Sequence, residues 1–163
     1  MKPSIYLIDA DLPGRLFIMP RPSAEWLMED MAHFRSLGIG TIVSMLEVDE
    51  MAELSLRDEP RCCCDAGMEF LHFPILDFGL PDRAGFRDLI EAVVERLEAG
   101  QSVAVHCRAG IGRSGMLACC VLARFVGSAD EAVETVCRCR GTSVPDTTEQ
   151  RAFIESMVGE LQG

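Results

Sequence analysis

The stretch His106-Cys107-Arg108-Ala109-Gly110-Ile111-Gly112-Arg113-Ser114-Gly115 gathers a thiol, glycines and arginines into one short segment. An apolar run from Ser102 to Val105 leads into it as a strand, and a second from Met116 to Val126 leaves it as a helix. Glycine lets the backbone curl so that successive N–H groups point inward, a concavity suited to an anion. The start of the following helix adds donors and the positive end of a dipole. Arg113 brings a planar fork that matches two phosphate oxygens. A cysteine at the base of such a cup is expected to be held below its ordinary pKa, as a thiolate. The chemistry is nucleophilic: Cys107 attacks the phosphorus of an anion held by Arg108, Ala109, Gly110, Ile111, Gly112 and Arg113.

Attack on a phosphate ester gives a cysteinyl-phosphate and expels an alkoxide or phenoxide, which needs a proton from a general acid. The turn-rich segment from Ile75 to Pro81 offers Asp77, with Gly79 as a hinge. Asp82 is the alternative acid, although its place after Pro81 at the start of a periodic helix suits an N-cap. Once deprotonated, Asp77 can activate the water that hydrolyses the intermediate.

The spacing His-Cys-x5-Arg-Ser resembles the signature of the cysteine-dependent protein tyrosine phosphatase superfamily. Phe73 to Asp82 resembles the Pro-x-x-Asp-x-x-x-Pro run of small dual-specificity phosphatases, especially the kinase-associated phosphatase group. The resemblance implies that Asp77 is the acid and that Ser114 donates its hydroxyl to the Cys107 thiolate. His106 is expected to order the loop through backbone hydrogen bonds and to tune the thiolate, and it is not needed as a proton acceptor if Cys107 is already ionised. The segment from Thr147 to Ile154 is similar to the one that carries a water-positioning glutamine, here Gln150, yet Thr147-x-x-Gln150 reads equally as a capping box. In the superfamily an acidic residue can brace the loop arginine, a role open to Glu47 or Glu50; an exposed surface charge explains either one equally. The chain is shorter than the larger tyrosine-specific catalytic domains and lacks the segments that build their recognition loop, which implies a shallow, permissive site.

These groups need elements to hold them. Strands are expected at Ile5–Ile8, Arg15–Met19, Thr41–Leu46, Glu69–Pro74 and Ser102–His106. Helices are expected from an N-cap at Ser23 to about Leu37, at Asp49–Leu56, at Arg83–Ala99 after Asp82, and at 114–126. A capping box at Ser128 opens another that stops at Gly141, and a last helix follows Pro145. Gly85 should cost the Arg83–Ala99 helix some stability. The segment from Arg61 to Gly67 reads as a connector, and its triple cysteine has no role in this scheme. The pattern is α/β, a central five-stranded mixed sheet flanked by helices on both faces. The resemblance implies a protein tyrosine phosphatase-like strand order of 1-2-5-3-4, with the site-bearing strand central.

A length of 163 residues, 48% of them hydrophobic, fits a single phosphatase domain spanning 1–163. The net charge of −11 opposes nucleic acid and anionic membrane as partners. It also opposes an anionic substrate, so binding must come from the local cup around Arg113. The eight cysteines come with no signal-peptide pattern after Met1-Lys2-Pro3, and the run from Met116 to Ala123 is too short to span a bilayer. A cytoplasmic protein with reduced thiols is expected. Cys62-Cys63-Cys64 and Cys137-x-Cys139 lack the paired spacing of structural zinc sites. No metal or cofactor is expected, because Arg113, the amides and the helix end supply the positive charge. The expected reaction is hydrolysis of phosphotyrosine, and in a shallow site also phosphoserine or phosphothreonine, on proteins or of small phosphoesters. A phosphoinositide or inositol-phosphate phosphatase on the same loop is the alternative, weakened by Arg108 being the sole extra cation within the loop. Asp77 and Ser114 argue against rhodanese-type sulfur transfer, and an intact Cys107, Arg113 and Asp77 argue against a phospho-binding module without turnover.

Overall fold

The computed structural model describes residues 2–162. In chain order the elements are β1 (Tyr6–Leu7), β2 (Leu16–Met19), α1 (Leu27–Ser36), β3 (Ile39–Ser44), α2 (Val48–Glu53), α3 (Glu59–Asp65), β4 (Glu69–His72), α4 (Arg83–Glu98), β5 (Ser102–His106), α5 (Arg113–Val126), α6 (Ala129–Arg140) and α7 (Thr148–Gln162). The strands form one sheet in the order β1-β2-β5-β3-β4, the order the resemblance implies. β1 and β2 are antiparallel, and the other pairings are parallel. β5 lies between β2 and β3, so the cysteine loop leaves the C-terminal end of a central strand, where parallel sheets gather their sites.

Alternation along β5 divides the core into two layers. Val103 and Val105 face a cluster built from α4, α5, α6 and α7, whereas Ala104 faces one built from α1, α3 and neighbouring strand residues. Every residue of α5 from Arg113 to Ala123 is buried, and α4, α6 and α7 pack around it. A helix apolar on every side belongs inside a domain, and this one anchors the C-terminal side of the loop.

The expected inner stripe of α4, from Phe86 to Leu97, is buried as its 3.6-residue period requires. Asp82 caps this helix, its Oδ2 accepting from the Gly85 N–H at 2.8 Å. Gly85 is not simply a cost. A Cβ there would stand 3.0 Å from Asp82 Oδ2 and 3.1 Å from the Phe73 ring, so glycine allows the cap and the ring to close on the helix start.

Three expectations are corrected. Ser23 does not cap α1, which begins at Leu27; instead the Ser23 N–H donates to Asp30 Oδ2 inside the helix. β1 keeps two residues of the four expected, because the paired register with β2 covers Tyr6 and Leu7 alone. The supposed connector at 61–67 is largely helix: α3 starts at Glu59 with Pro60 in its first turn and buries Cys62 and Cys63. Three consecutive cysteines masked an apolar face, since cysteine behaves in a core as a small hydrophobe.

Asp82→Ala should lower stability by about 0.5–2 kcal/mol, the range for a lost N-cap. Urea unfolding will show this loss with turnover of an aryl phosphate nearly unchanged.

Candidate active site

The cup is shaped by where its carbonyls go. Four successive carbonyls are bonded outside it: Cys107 O to His106 Nδ1 at 3.1 Å, Arg108 O to the Arg21 N–H at 3.1 Å, and Ala109 O and Gly110 O to Arg140, each at 3.0 Å. With the carbonyls held outward, the loop N–H groups are left for an anion. Arg140 is itself held by stacking over the Tyr6 ring, 4.3 Å from its centroid. Gly110 has φ +73°, and a Cβ there would stand 2.5 Å from the Met19 backbone, so this turn requires glycine. Arg140 was missed in the sequence, where it reads as an ordinary cation in the last turn of α6.

Cys107 lies at the bottom of the cup, 3% exposed, with Sγ 3.1 Å from Ser114 Oγ. Burial pushes the thiol pKa up, but the Ser114 hydroxyl, the N–H groups of Ser114 and Ile111 and the Arg113 charge together hold it below its ordinary value. Arg113 and Ser114 are fully buried at the start of α5.

Glu50 resolves the choice between the two glutamates. Its Oε1 lies 2.5 Å from Arg113 Nη1 and its Oε2 3.0 Å from Nη2, a bidentate pair. Oε1 also accepts from the Glu47 N–H at 3.0 Å as part of a capping box that opens α2. The expectation of an exposed charge therefore fails for Glu50, which is 8% exposed. Burial would raise its pKa, but Arg113, the Glu47 N–H and Arg108 outweigh it and hold the carboxylate below its usual range. The sequence signal was the pair Glu47-x-x-Glu50 just beyond β3.

Arg113 Nη1 also donates to Ile75 O at 2.9 Å, which ties the start of the acid loop to the same guanidinium. Asp77 Oδ1 lies 3.1 Å from Arg113 Nη2, so the structure brings the expected acid to the cup. The Gly79 N–H donates to Leu76 O at 2.8 Å, closing a turn that holds Phe78 at φ +61°. Asp82, capping α4, is not brought into this group. Arg108 reaches toward Glu50 and Glu53, with its side chain 42% exposed. Arg113 Nε is buried and has no hydrogen-bond partner among the described residues.

Gln150 is buried and meets its reading as a helix cap. Its Oε1 accepts from the Thr147 N–H at 3.3 Å while its own N–H donates to Thr147 Oγ1 at 3.0 Å, which is the capping box. Its Nε2 donates to Gly79 O at 3.3 Å, so the cap also reaches the acid loop. A side chain at Gly112 would collide with Asp146 Oδ2 and approach Gln150 Oε1 at 3.1 Å, which places both residues against the loop. Asp146 is a second carboxylate that sequence spacing did not reveal; burial and the Asp77 charge raise its pKa. Among the described residues, no group of three or more His, Cys, Asp or Glu side chains is arranged to hold a metal ion. No helix among them is long and apolar enough to cross a membrane.

A family model described as "Polymorphic toxin system, DSP-PTPase phosphatase" matches residues 19–126. The chain belongs to this family. DSP-PTPase phosphatases are cysteine-based hydrolases. The chain is similar to protein tyrosine phosphatase domain-containing protein 1 of Mus musculus, 32% identical over 117 residues that cover 66% of this chain and 16% of that protein. It thus spans about one sixth of the length of that curated relative. Among solved structures it is similar to a kinase associated phosphatase whose catalytic site cysteine is replaced by serine, with TM-score 0.88, 20% identity and coverage of 100% and 98% of the two chains. It is also similar to PTPMT1 in complex with PI(5)P, with TM-score 0.80, 20% identity and coverage of 97% and 96%.

Glu50→Ala leaves the Arg113 charge buried without its partner and should cost about 3–5 kcal/mol in urea unfolding. The pH dependence has a definite sign. Because the folded pKa of Glu50 lies below the ordinary 4.5, its contribution is present above that value and is lost as pH falls through the folded one. Glu50→Gln should lack this part of the acid-side loss of melting temperature.

Proposed function

We propose that this chain is one phosphatase domain that hydrolyses phosphate monoesters on phosphoproteins through a cysteinyl-phosphate on Cys107. The observation that carries the reading is the pairing of a buried thiol, 3.1 Å from Ser114 Oγ, with an Arg113 Nε that has no partner among the described residues. Glu50 occupies the Nη1–Nη2 edge of the guanidinium, so the Nε–Nη2 edge is the one free to grip two phosphate oxygens. Phosphate arriving there displaces Asp77 Oδ1 from Nη2, and the released carboxylate takes up a proton, from the monoester monoanion or from solvent, and lies beside the ester oxygen. Cys107 attacks phosphorus, the bond to the ester oxygen breaks, and Asp77 gives that oxygen its proton. Asp77 then takes a proton from water, which attacks the cysteinyl-phosphate with Gln150 at the rim, and Ser114 donates to the departing thiolate. The kinase associated phosphatase described with a catalytic site cysteine supports the assignment of Cys107.

Phosphoprotein is favoured as the substrate by the rim around Asp77. Leu76, Phe78 and Leu80 are 66%, 63% and 51% exposed, an apolar edge fitted to a protein side chain. The second reading, a phosphoinositide substrate, gains from an open cavity of about 550 Å³ where Lys2 and Arg21 join Arg108 beside Trp26. Lys2 and Arg21 lie outside the loop and were not singled out in the sequence. The similar PTPMT1 is described in complex with PI(5)P. The net charge of −11 opposes approach to an anionic leaflet and weighs against this reading. Eight free cysteines fit a reducing, cytoplasmic setting.

Phosphate release from phosphotyrosyl and phosphoseryl peptides should exceed release from phosphoinositide vesicles; the reverse order selects the second reading. Iodoacetate should inactivate the protein, inorganic phosphate should protect it, and Cys107→Ser should abolish turnover while still binding phosphopeptide. A Cys107→Ser protein with wild-type turnover would exclude the mechanism.

Asp77→Asn should lose about 10²–10⁴-fold in rate on an alkyl phosphate, the range for a general acid. The loss should be much smaller on an activated aryl phosphate, whose leaving group needs little protonation. Equal losses on both esters would take the role of acid away from Asp77.

A further inference from the structure

α3 carries a carboxylate that the reaction described above does not use. Glu59 is completely buried, and its Oε2 lies 2.6 Å from His106 Nε2, across 47 positions of sequence. His106 is equally buried, and its other ring nitrogen faces Cys107 O at 3.1 Å. One ring nitrogen therefore faces a carboxylate and the other a carbonyl, and both are acceptors. Donation from both nitrogens at once makes the ring an imidazolium. The second carboxylate oxygen, Glu59 Oε1, has no partner among the described residues. A buried carboxylate with one oxygen unsatisfied is costly, and replacing such a pair with apolar side chains is often neutral or stabilising. Folding alone gives little reason to keep it.

We infer that Glu59 is a positioning residue for the nucleophile: it keeps His106 doubly protonated and oriented, so that the ring fixes the Cys107 carbonyl outside the cup and holds a positive charge behind the thiolate. This inference rests on the reading of Cys107 as nucleophile. It also gives the segment that begins α3 a place in the site. Burial drives His106 toward neutrality, but the Glu59 charge and hydrogen bond, together with Cys107, outweigh it and raise the pKa above 6.5. The surrounding groups do not compete for the proton. β2 and β3 place Met19 and Ser44 opposite His106, neither of which titrates near neutrality. On α3 the neighbour is Cys63, whose thiol is pushed up to about 12 by burial. Beyond Cys107 the next charge is Arg113, which acts on the sulfur in the same sense as His106.

Glu59→Gln keeps the size and one acceptor but removes the charge. The rate of Cys107 alkylation by iodoacetate, followed from pH 4 to 9, should show its midpoint move up by about one unit, or about tenfold less thiolate on the acid limb. Turnover should fall with kcat, while protection by inorganic phosphate changes little. An alkylation profile and kcat within about twofold of wild type would overturn the inference. A second measurement needs no variant: nitrogen NMR of His106 in the wild-type protein should show both ring nitrogens protonated at pH 7.5, and a single neutral tautomer there would overturn it even if Glu59→Gln fails to fold. Neither the alkylation profile nor the NMR measurement uses a phosphoester. A wild-type protein inactive on every phosphoester would defeat the proposed function, whereas an unshifted alkylation profile would defeat the role of Glu59.

Discussion

An arginine with no solvent exposure must receive its counter-charge and hydrogen bonds from the fold, and Arg113 sets that requirement for the whole site. Glu50 supplies the charge on one edge of the fork, and the carbonyls of Met45 and Ile75 meet Nη1 from two further segments. Those partners come from the ends of β3 and β4 and from the start of α2. The sheet must therefore bring β3 beside β5, with β4 next to it, before the guanidinium can be buried at all. Leaving such a charge unpaired would cost several kcal/mol, so the fold and the site are specified by the same contact. The benefit is orientation: with one edge clamped, the other is held in place, and an arriving oxyanion has only Asp77 to displace from it.

The legible part of this molecule was local. Period and punctuation in the sequence placed α4 with its stripe and cap, α5 beside the loop and α6 with its capping box. The cysteine loop was legible because glycine, cysteine and arginine at fixed spacing have one joint use. What the sequence concealed were partners from distant segments. Glu59 looks like a surface glutamate in any linear window, and Glu50 could not be told apart from Glu47 there, yet Glu59 and Glu50 are buried against partners 47 and 63 positions away. Arg140 is a third case, holding the Ala109 and Gly110 carbonyls from the end of α6. α3 was hidden for a different reason. Its apolar face is written in cysteine, which a reader searching for disulfides or metal does not count as core.

The acid loop follows a different physical rule. Around the nucleophile nearly every polar atom has a fixed partner, whereas Asp77 makes one ion pair and sits between half-exposed or exposed apolar residues. Phe78 occupies a left-handed conformation that a β-carbon disfavours by roughly 1–2 kcal/mol. Gln150 holds Gly79 by a single hydrogen bond. Low packing and stored strain are what a segment needs if it is to exchange one partner for another during a reaction. The tightly bonded part of the site is thus built on β5 and α5, and the loosely held part is carried on a loop.

A protein with a net charge of −11 has no long-range attraction for phosphate to exploit. Its surface charges are screened over about 8 Å at physiological salt, so they neither help nor much hinder a group already inside the cup. Arg113 is nearly neutralised by Glu50, and Arg108 leans toward Glu50 and Glu53, so formal charge alone does not make the cup attractive. The attraction comes from oriented dipoles: the loop N–H groups left free when four carbonyls are bonded outward, and the first turn of α5. Dipoles of this kind act at short range and only on a group that fits among them. Discrimination among anions is accordingly a matter of shape at the loop.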